Sequence, residues 1–230
     1  MKKYKLTTET LQFAGRTLHR IKAVKDFDSI KAGEFGGWIE NEKNLSQDDN
    51  AWIYGDAMVF DNAEVYGNAN VFGYAKVYGD ANVSGNANVS GNANVFGNAN
   101  VFGNAKVFGY AEVYGNANVS DYANVSGNAE VSDYSEVSDY AKVYGNAAIK
   151  GDAKVHDAVD YIVFKNFWSS GRYFTWTSSN NKWSVGCFYG TGEELIKKAY
   201  ADSEKSGREY ERVVRYVESI LADEKKEKSN

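Results

Sequence analysis

Few residues of this chain are of the types that do chemistry. Among 230 residues there are two histidines, His19 and His156, a single cysteine, Cys187, and no proline. His156 stands beside Asp157 and offers a proton acceptor. Base catalysis also needs an orienting group and a nucleophile within reach, and adjacent positions supply neither. His156 therefore reads as a solvated surface histidine, and the chain as a non-enzymatic protein with no catalytic residue. One cysteine excludes an internal disulfide and a Cys-based metal cluster, in keeping with a reducing compartment; no cofactor and no metal are expected. Gly190-Thr191-Gly192 opens a helical pattern, where backbone N–H groups can cradle a phosphate, but it lacks the Lys and the spacing of a P-loop. A tight turn explains it better.

What positions these residues is a period of six. An aliphatic residue recurs at 53, 59, 65 and so on to 155, always Val except Ile53 and Ile149, and each hexad reads roughly Val-x-Gly-Asn-Ala-x. Ala-x-Val-x is an extended tetrapeptide with Ala and Val on one face, and Gly-Asn is a corner. A meander of hairpins would leave that apolar face uncovered. If each corner turns the chain by a third of a revolution, three hexads close an 18-residue triangular coil that buries its own Val and Ala. Asp replaces Gly at 61, 121, 133, 139 and 157; Gly, Asn and Asp tolerate positive φ, so this place is expected to be a left-handed corner. The eighteen hexads give about six regular coils.

The repeat resembles that of the hexapeptide-repeat, left-handed parallel β-helix proteins, and most closely the Asn-Ala-x-Val-Tyr-Gly variety of uncharacterised bacterial and phage proteins. The resemblance covers about half the chain and implies the handedness, which the period alone does not give. Many proteins of this class are trimeric acyltransferases with a histidine base near a groove between subunits. An acyltransferase-like enzyme is therefore the alternative reading of function, and a structural, self-assembling element a further one.

The expected organisation is mainly β: residues 1–50 as N-terminal strands and cap with an irregular first coil, 51–160 as the β-helix, 161–223 as a three-strand, two-helix α+β domain, and 224–230 as a charged tail. Tyr4 to Glu9 and Thr17 to Val24 read as strands around an Ala14-Gly15 turn, Asp26 to Gly37 as loop, and Trp38-Ile39 and Leu45 as the start of the coils. Such atypical ends protect open strand edges, and capping is the reading preferred to binding by Trp38. After residue 160 the strands are Tyr161 to Phe167, Arg172 to Thr177 and Lys182 to Tyr189, with Cys187 on a core face. Two helical stripes follow, broken at Gly207. The stretch from Trp183 to Leu195 resembles a module that recurs behind such repeats in phage and prophage proteins.

Sorting the outward residue after each aliphatic by coil gives three columns. One runs Phe60, Tyr78, Phe96, Tyr114, Ser132, Lys150; another begins Tyr54, Phe72, Ser90, Phe108; the third ends Ser120, Ser138, His156. Four aromatics on successive coils form an apolar ladder of the kind that marks an interface, or one that stabilises the sheet by its own stacking. The leading expectation is a protein-binding or scaffold function, with a protein partner or a second copy on Phe60, Tyr78, Phe96, Tyr114, Tyr54, Phe72 and Phe108. Trp168, Trp176, Trp183 and Tyr210 are the candidate contacts of the C-terminal domain. The phage-like resemblance suggests an inhibitor of a host defence or housekeeping protein, in the host cytoplasm. Residues 51–160 carry 13 acidic against 5 basic side chains, which disfavours nucleic acid. No stretch suits a signal peptide or a membrane span, so the expected location is cytoplasmic.

Overall fold

The computed structural model describes residues 2–168 and 171–227. The chain divides into two units, 1–161 and 162–230. The first is a parallel β-solenoid of about seven turns. It opens with β1 (Tyr4–Phe13), β2 (Arg16–Ala23) and β3 (Phe35–Ile39), followed by eighteen two-residue strands, β4 (Trp52–Ile53) to β21 (Lys154–Val155), one per hexad. Neighbouring strands on each face are 18 residues apart and parallel: Val59, Val77, Val95 and Val113 stack in register. The hexad Val and Ile side chains and the Ala residues are sealed from solvent. Each coil donates its strand N–H groups to the next, as in Asn94 to the Ala111 carbonyl and Phe96 to the Val113 carbonyl, both 2.9 Å.

Corners carry φ from +55 to +77°, at Gly and also at Asp61, Asp121, Asp133 and Asp139. Aspartate adds something glycine lacks. Its carboxylate can accept the corner N–H of the following coil, as Asp133 does from Gly151 (2.9 Å) and Asp61 from Gly79 (3.3 Å). Asp157 departs from the expectation. Its φ is −141°, and it caps the 3-10 turn Ala158–Asp160 on which the chain leaves the coils.

At the N-terminal end Ile39 pairs with Val59 and Leu45 with Val65, completing an irregular first coil. The hairpin turn Ala14-Gly15 has positive φ at both residues, which matches the strand twist. Part of the stretch expected as loop is strand, because β3 starts at Phe35 and pairs with β2 on one side and with Met58-Val59 on the other. The hairpin folds over the coil end: Leu18, Trp38 and Phe60 form a buried cluster with Leu11, Phe13, Met58 and Tyr78 against it. Trp38 is thus core. Lys3, itself buried, donates its ammonium to the Asp49 and Ala51 carbonyls at 2.8 and 2.7 Å, and Tyr4 donates its hydroxyl to the Leu45 carbonyl at 2.7 Å. Carbonyls of the first coil that would face water are satisfied in this way.

Among the described residues the second unit has four strands where three were expected. Beyond β22 (Tyr161–Lys165), which starts at the last residue of the first unit, and β23 (Tyr173–Thr177), the third expected strand is a hairpin of β24 (Lys182–Val185) and β25 (Phe188–Gly190). Gly186, at φ +57°, turns the chain there and breaks the alternation, so Cys187 is exposed instead of buried. Helices α1 (Gly192–Asp202) and α2 (Glu204–Glu227) pack on the sheet through Leu195, Ile196, Val214 and Val217. Gly207 does not break a helix. It lies inside α2, where a Cβ would run into the Tyr200 ring, so its missing side chain lets the two helices approach.

Candidate functional site

Strand pairing between Glu136-Val137 and Lys154-Val155 sets Ser138 and His156 one above the other on the same face. His156 Nδ1 lies 2.7 Å from Ser138 Oγ and 3.2 Å from the Asp139 carboxylate. A carboxylate only accepts, so the contact with Asp139 calls for a proton on Nδ1. The backbone behind the ring is held as well. The N–H groups of His156 and Asp157 both donate to Asp160, at 2.7 and 2.9 Å. Ser138 is 4% exposed, the His156 side chain 45% and that of Asp139 63%: Ser138 sits against the wall while the ring and the Asp139 carboxylate reach solvent. Lys154 and Glu136 pair at 3.5 Å on the same two coils. At the adjacent corner Tyr122 and Tyr140 stack at 5.2 Å with an interplanar angle of 7° and are largely exposed. The arrangement presents an oriented, solvent-reachable base beside a flat aromatic pair.

This corrects the reading of His156 as lacking an orienting group. Its partners lie 18 and 17 positions back in the sequence, so neighbouring positions could not reveal them. The signal was the third column of outward residues, in which Ser138 directly precedes His156. His19 is different, with Nδ1 3.3 Å from the Thr7 carbonyl across the β1–β2 hairpin.

The aromatic ladder is present as a stack. Phe60, Tyr78, Phe96 and Tyr114 lie 5.0, 4.9 and 4.9 Å apart, with rings within 6° of parallel. Its first rung is closed off by the protein's own N-terminal hairpin, with Phe13 edge-on to Phe60 at 5.7 Å and Arg16 over the same ring. Phe60 is 4% exposed, while the other three rungs are half-buried. A cleft of about 350 Å³ lies between hairpin tip and ladder, lined by Phe13, Arg16, Phe60, Asp61, Lys76 and Tyr78. In the second column Tyr54 and Phe72 meet edge-on at 6.4 Å, whereas Ser90 separates them from the exposed Phe108.

The C-terminal candidates are core residues. Trp176 and Trp183 are buried with Phe174, whose ring meets Tyr210 at 4.6 Å; Trp168 packs against the same cluster. Trp176 donates its indole N–H to Asn181 at 2.9 Å, while the Trp168 indole finds no acceptor among the described residues. The phosphate-cradle geometry is already filled. Glu194 accepts from the Thr191 N–H at 2.7 Å and returns its own N–H to Thr191 Oγ1, a capping box that puts a carboxylate where an anion would bind. Among the described residues no group of three or more His, Cys, Asp or Glu side chains is placed to hold a metal ion, and no helix is long and apolar enough to cross a membrane.

The chain is a hexapeptide-repeat parallel β-solenoid with a small C-terminal module. No family model matches it. It is similar to a protein of Escherichia coli (strain K12) named an uncharacterized acetyltransferase, YdcK, with 39% identity over 62 residues. The match takes in 24% of this chain and 19% of that relative, so the chain spans about a fifth of its length. The similarity overturns the expectation of a non-enzymatic protein, since the relative bears an enzyme's name. Nothing in it points to a phage origin or to an inhibitory role.

Proposed function

We propose that this protein is an acyltransferase-like enzyme of the hexapeptide-repeat kind, with His156 as general base. The observation that carries the reading is the Ser138, Asp139 and His156 cluster, in which Nδ1 is engaged and the side chain is 45% exposed. The similarity to a protein named an acetyltransferase supports it.

In this mechanism the acceptor's hydroxyl or amine attacks the carbonyl carbon of an acyl thioester. Nε2 takes the proton that the nucleophile loses, the C–S bond breaks, and the thiolate leaving group is protonated by the imidazolium or by water. Asp139 stabilises the imidazolium that forms on proton uptake, and Ser138 fixes the ring plane. Positioned proton transfer contributes ~10²- to 10⁴-fold to such a step.

The test joins binding and turnover. Acetyl-CoA is titrated into the full chain by calorimetry, and thiol release is followed with amine and hydroxyl acceptors. Turnover by the wild type, reduced ~100-fold or more in His156→Gln with acetyl-CoA binding retained, is the expected result. Neither binding nor thiol release with any acceptor would overturn it.

A further inference from the structure

On the face that begins with Trp52-Ile53, outward aromatics and serines alternate as Phe72, Ser90, Phe108, Ser126 and Tyr144. The ladder on the neighbouring face shows what this place in the hexad does when every coil fills it, with rings parallel and 4.9 Å apart. A serine between two aromatics therefore leaves out one rung, and the flanking residues stand two strand spacings apart, ~10 Å. That width admits one further ring stacked on both sides. At Ser126 the gap is open, because the serine is partly accessible and Phe108 and Tyr144 are 41% and 63% exposed. Ser132, at the end of the ladder, is by contrast closed over.

The other outward residue of each coil distinguishes one gap from the next. Beside Ser126 stands Asn124, in register with Lys106 on one side and Lys142 on the other. At Ser84, between Tyr66 and Phe102, the corresponding residues are Glu64, Asn82 and Asn100; at Ser90 they are Asn70, Asn88 and Lys106. Of the three gaps, Ser126 alone has a cation on both sides. Elsewhere on the solenoid Lys150 and Lys154 pair with Glu130 and Glu136, and Lys76 lies over the Phe13 ring. Lys106 and Lys142 are exposed and form no ion pair or ring contact among the described residues. Asn124 donates one amide N–H to the Tyr122 carbonyl at 3.0 Å and keeps its second.

We infer that this gap binds a nucleoside monophosphate, with the base inserted between Phe108 and Tyr144 over Ser126 and the phosphate above Asn124 between the Lys106 and Lys142 ammonium groups. Each half of the site selects one half of the ligand. Two aromatic walls one rung apart take a planar ring, and such stacking tolerates any base. Two lysines flanking one position favour a phosphomonoester, which carries close to two charges at pH 7, over a singly charged carboxylate. Asn124 and Ser126 lie two residues apart along the strand, ~6.6 Å, which is comparable with the span from base to phosphorus in such a nucleotide. A polynucleotide fits less well. The solenoid around the gap is acidic, with 13 acidic against 5 basic side chains, and repels an extended phosphate chain, whereas a single phosphate needs only the two lysines. The inference is independent of the proposed catalytic role, because His156 lies on another face.

Calorimetry on the full chain at low ionic strength tests the site, with AMP, adenosine and inorganic phosphate as separate probes. AMP is expected to bind ~tenfold or more tightly than either half. Ser126→Phe supplies the missing rung, a change the coil accommodates because Phe96 and Phe108 already occupy equivalent places. It should remove binding of both AMP and adenosine while the melting temperature is kept. The double variant K106Q/K142Q should lower AMP affinity to that of adenosine and leave adenosine binding as it was. His156→Gln should bind AMP as the wild type does, which separates this site from the proposed catalytic one. The inference is overturned by a wild type that does not bind AMP, by AMP binding retained in Ser126→Phe, by an unchanged preference for AMP over adenosine in K106Q/K142Q, or by AMP binding lost in His156→Gln.

Discussion

At the residue scale, what this protein uses most is the groups that satisfy its exposed ends. Asp49 shows how. Burial pushes its carboxyl up, but the Gly67 N–H, Ser46 and the Ala51 N–H, together with the Lys3 charge, outweigh this and hold it below the usual value of 3.8. A carboxyl whose folded pKa is depressed contributes stability above its unfolded pKa and loses it as pH falls through the folded value. The Asp49 contribution is therefore whole above about pH 4 and disappears on further acidification. In Asp49→Asn, stability followed by chemical denaturation should be lower near neutrality and should depend less on pH below about 4 than in the wild type. An identical acid slope in both would assign that slope to other carboxyls. Lys3 is also shifted down, its pKa lowered chiefly by burial with the Asp49 charge and hydrogen bond opposing. At the proposed catalytic cluster, Ser138→Ala removes one of two groups at the ring and leaves Asp139. Turnover should fall less than in His156→Gln, with acetyl-CoA binding unchanged.

At the element scale, the coil is defined by what faces inward and by how its corners turn. Val95 is wholly buried between Val77 and Val113. Val95→Asp puts a carboxylate in a stack with no polar partner and should cost ~3 kcal/mol or more, read as a large fall in melting temperature. Corner glycines separate two effects. Gly55 and Gly97 both have positive φ, yet a Cβ on Gly55 meets nothing within 4 Å while one on Gly97 comes to 3.0 Å from the Gly115 nitrogen of the next coil. Gly55→Ala should therefore cost about 1 kcal/mol for the left-handed backbone alone, and Gly97→Ala clearly more. Equal losses in thermal melts would remove coil-to-coil crowding as the reason for glycine at the inner corners.

At the scale of the whole molecule, the solenoid and the C-terminal unit have separate cores. A solenoid is stabilised by near-neighbour contacts repeated along its length, whereas a unit of about 70 residues has a single small core and is marginal. Trp183→Ala empties the centre of that core, a loss of ~3 to 5 kcal/mol. Hydrogen exchange should then show amides of residues 162–227 losing protection while those of β4 to β21 keep theirs. Loss of protection across both units would mean that they fold as one.

Much of this was legible in the sequence because the solenoid is local in an unusual way. Every contact that defines a coil recurs at a fixed offset, so the period of six predicts the inward Val and Ala, the 18-residue stacking, the left-handed corners and the aromatic ladder. The same arithmetic put Ser138 under His156, but a column of outward residues says nothing about which way a ring nitrogen points. The structure supplied that through Ser138 and Asp139. Where the period stops, so did legibility. The hairpin at Gly186, the role of Gly207 and the exposure of Cys187 depend on which elements pack together, and alternation along a strand does not encode a turn that interrupts it. The cover over Phe60 was equally out of reach, since it is the pairing of β2 with β3 that brings Phe13 and Arg16 onto the ladder. A repeat determines its own packing because each coil is its neighbour's template. Its ends and its appended unit have no such template, and only tertiary contacts decided them.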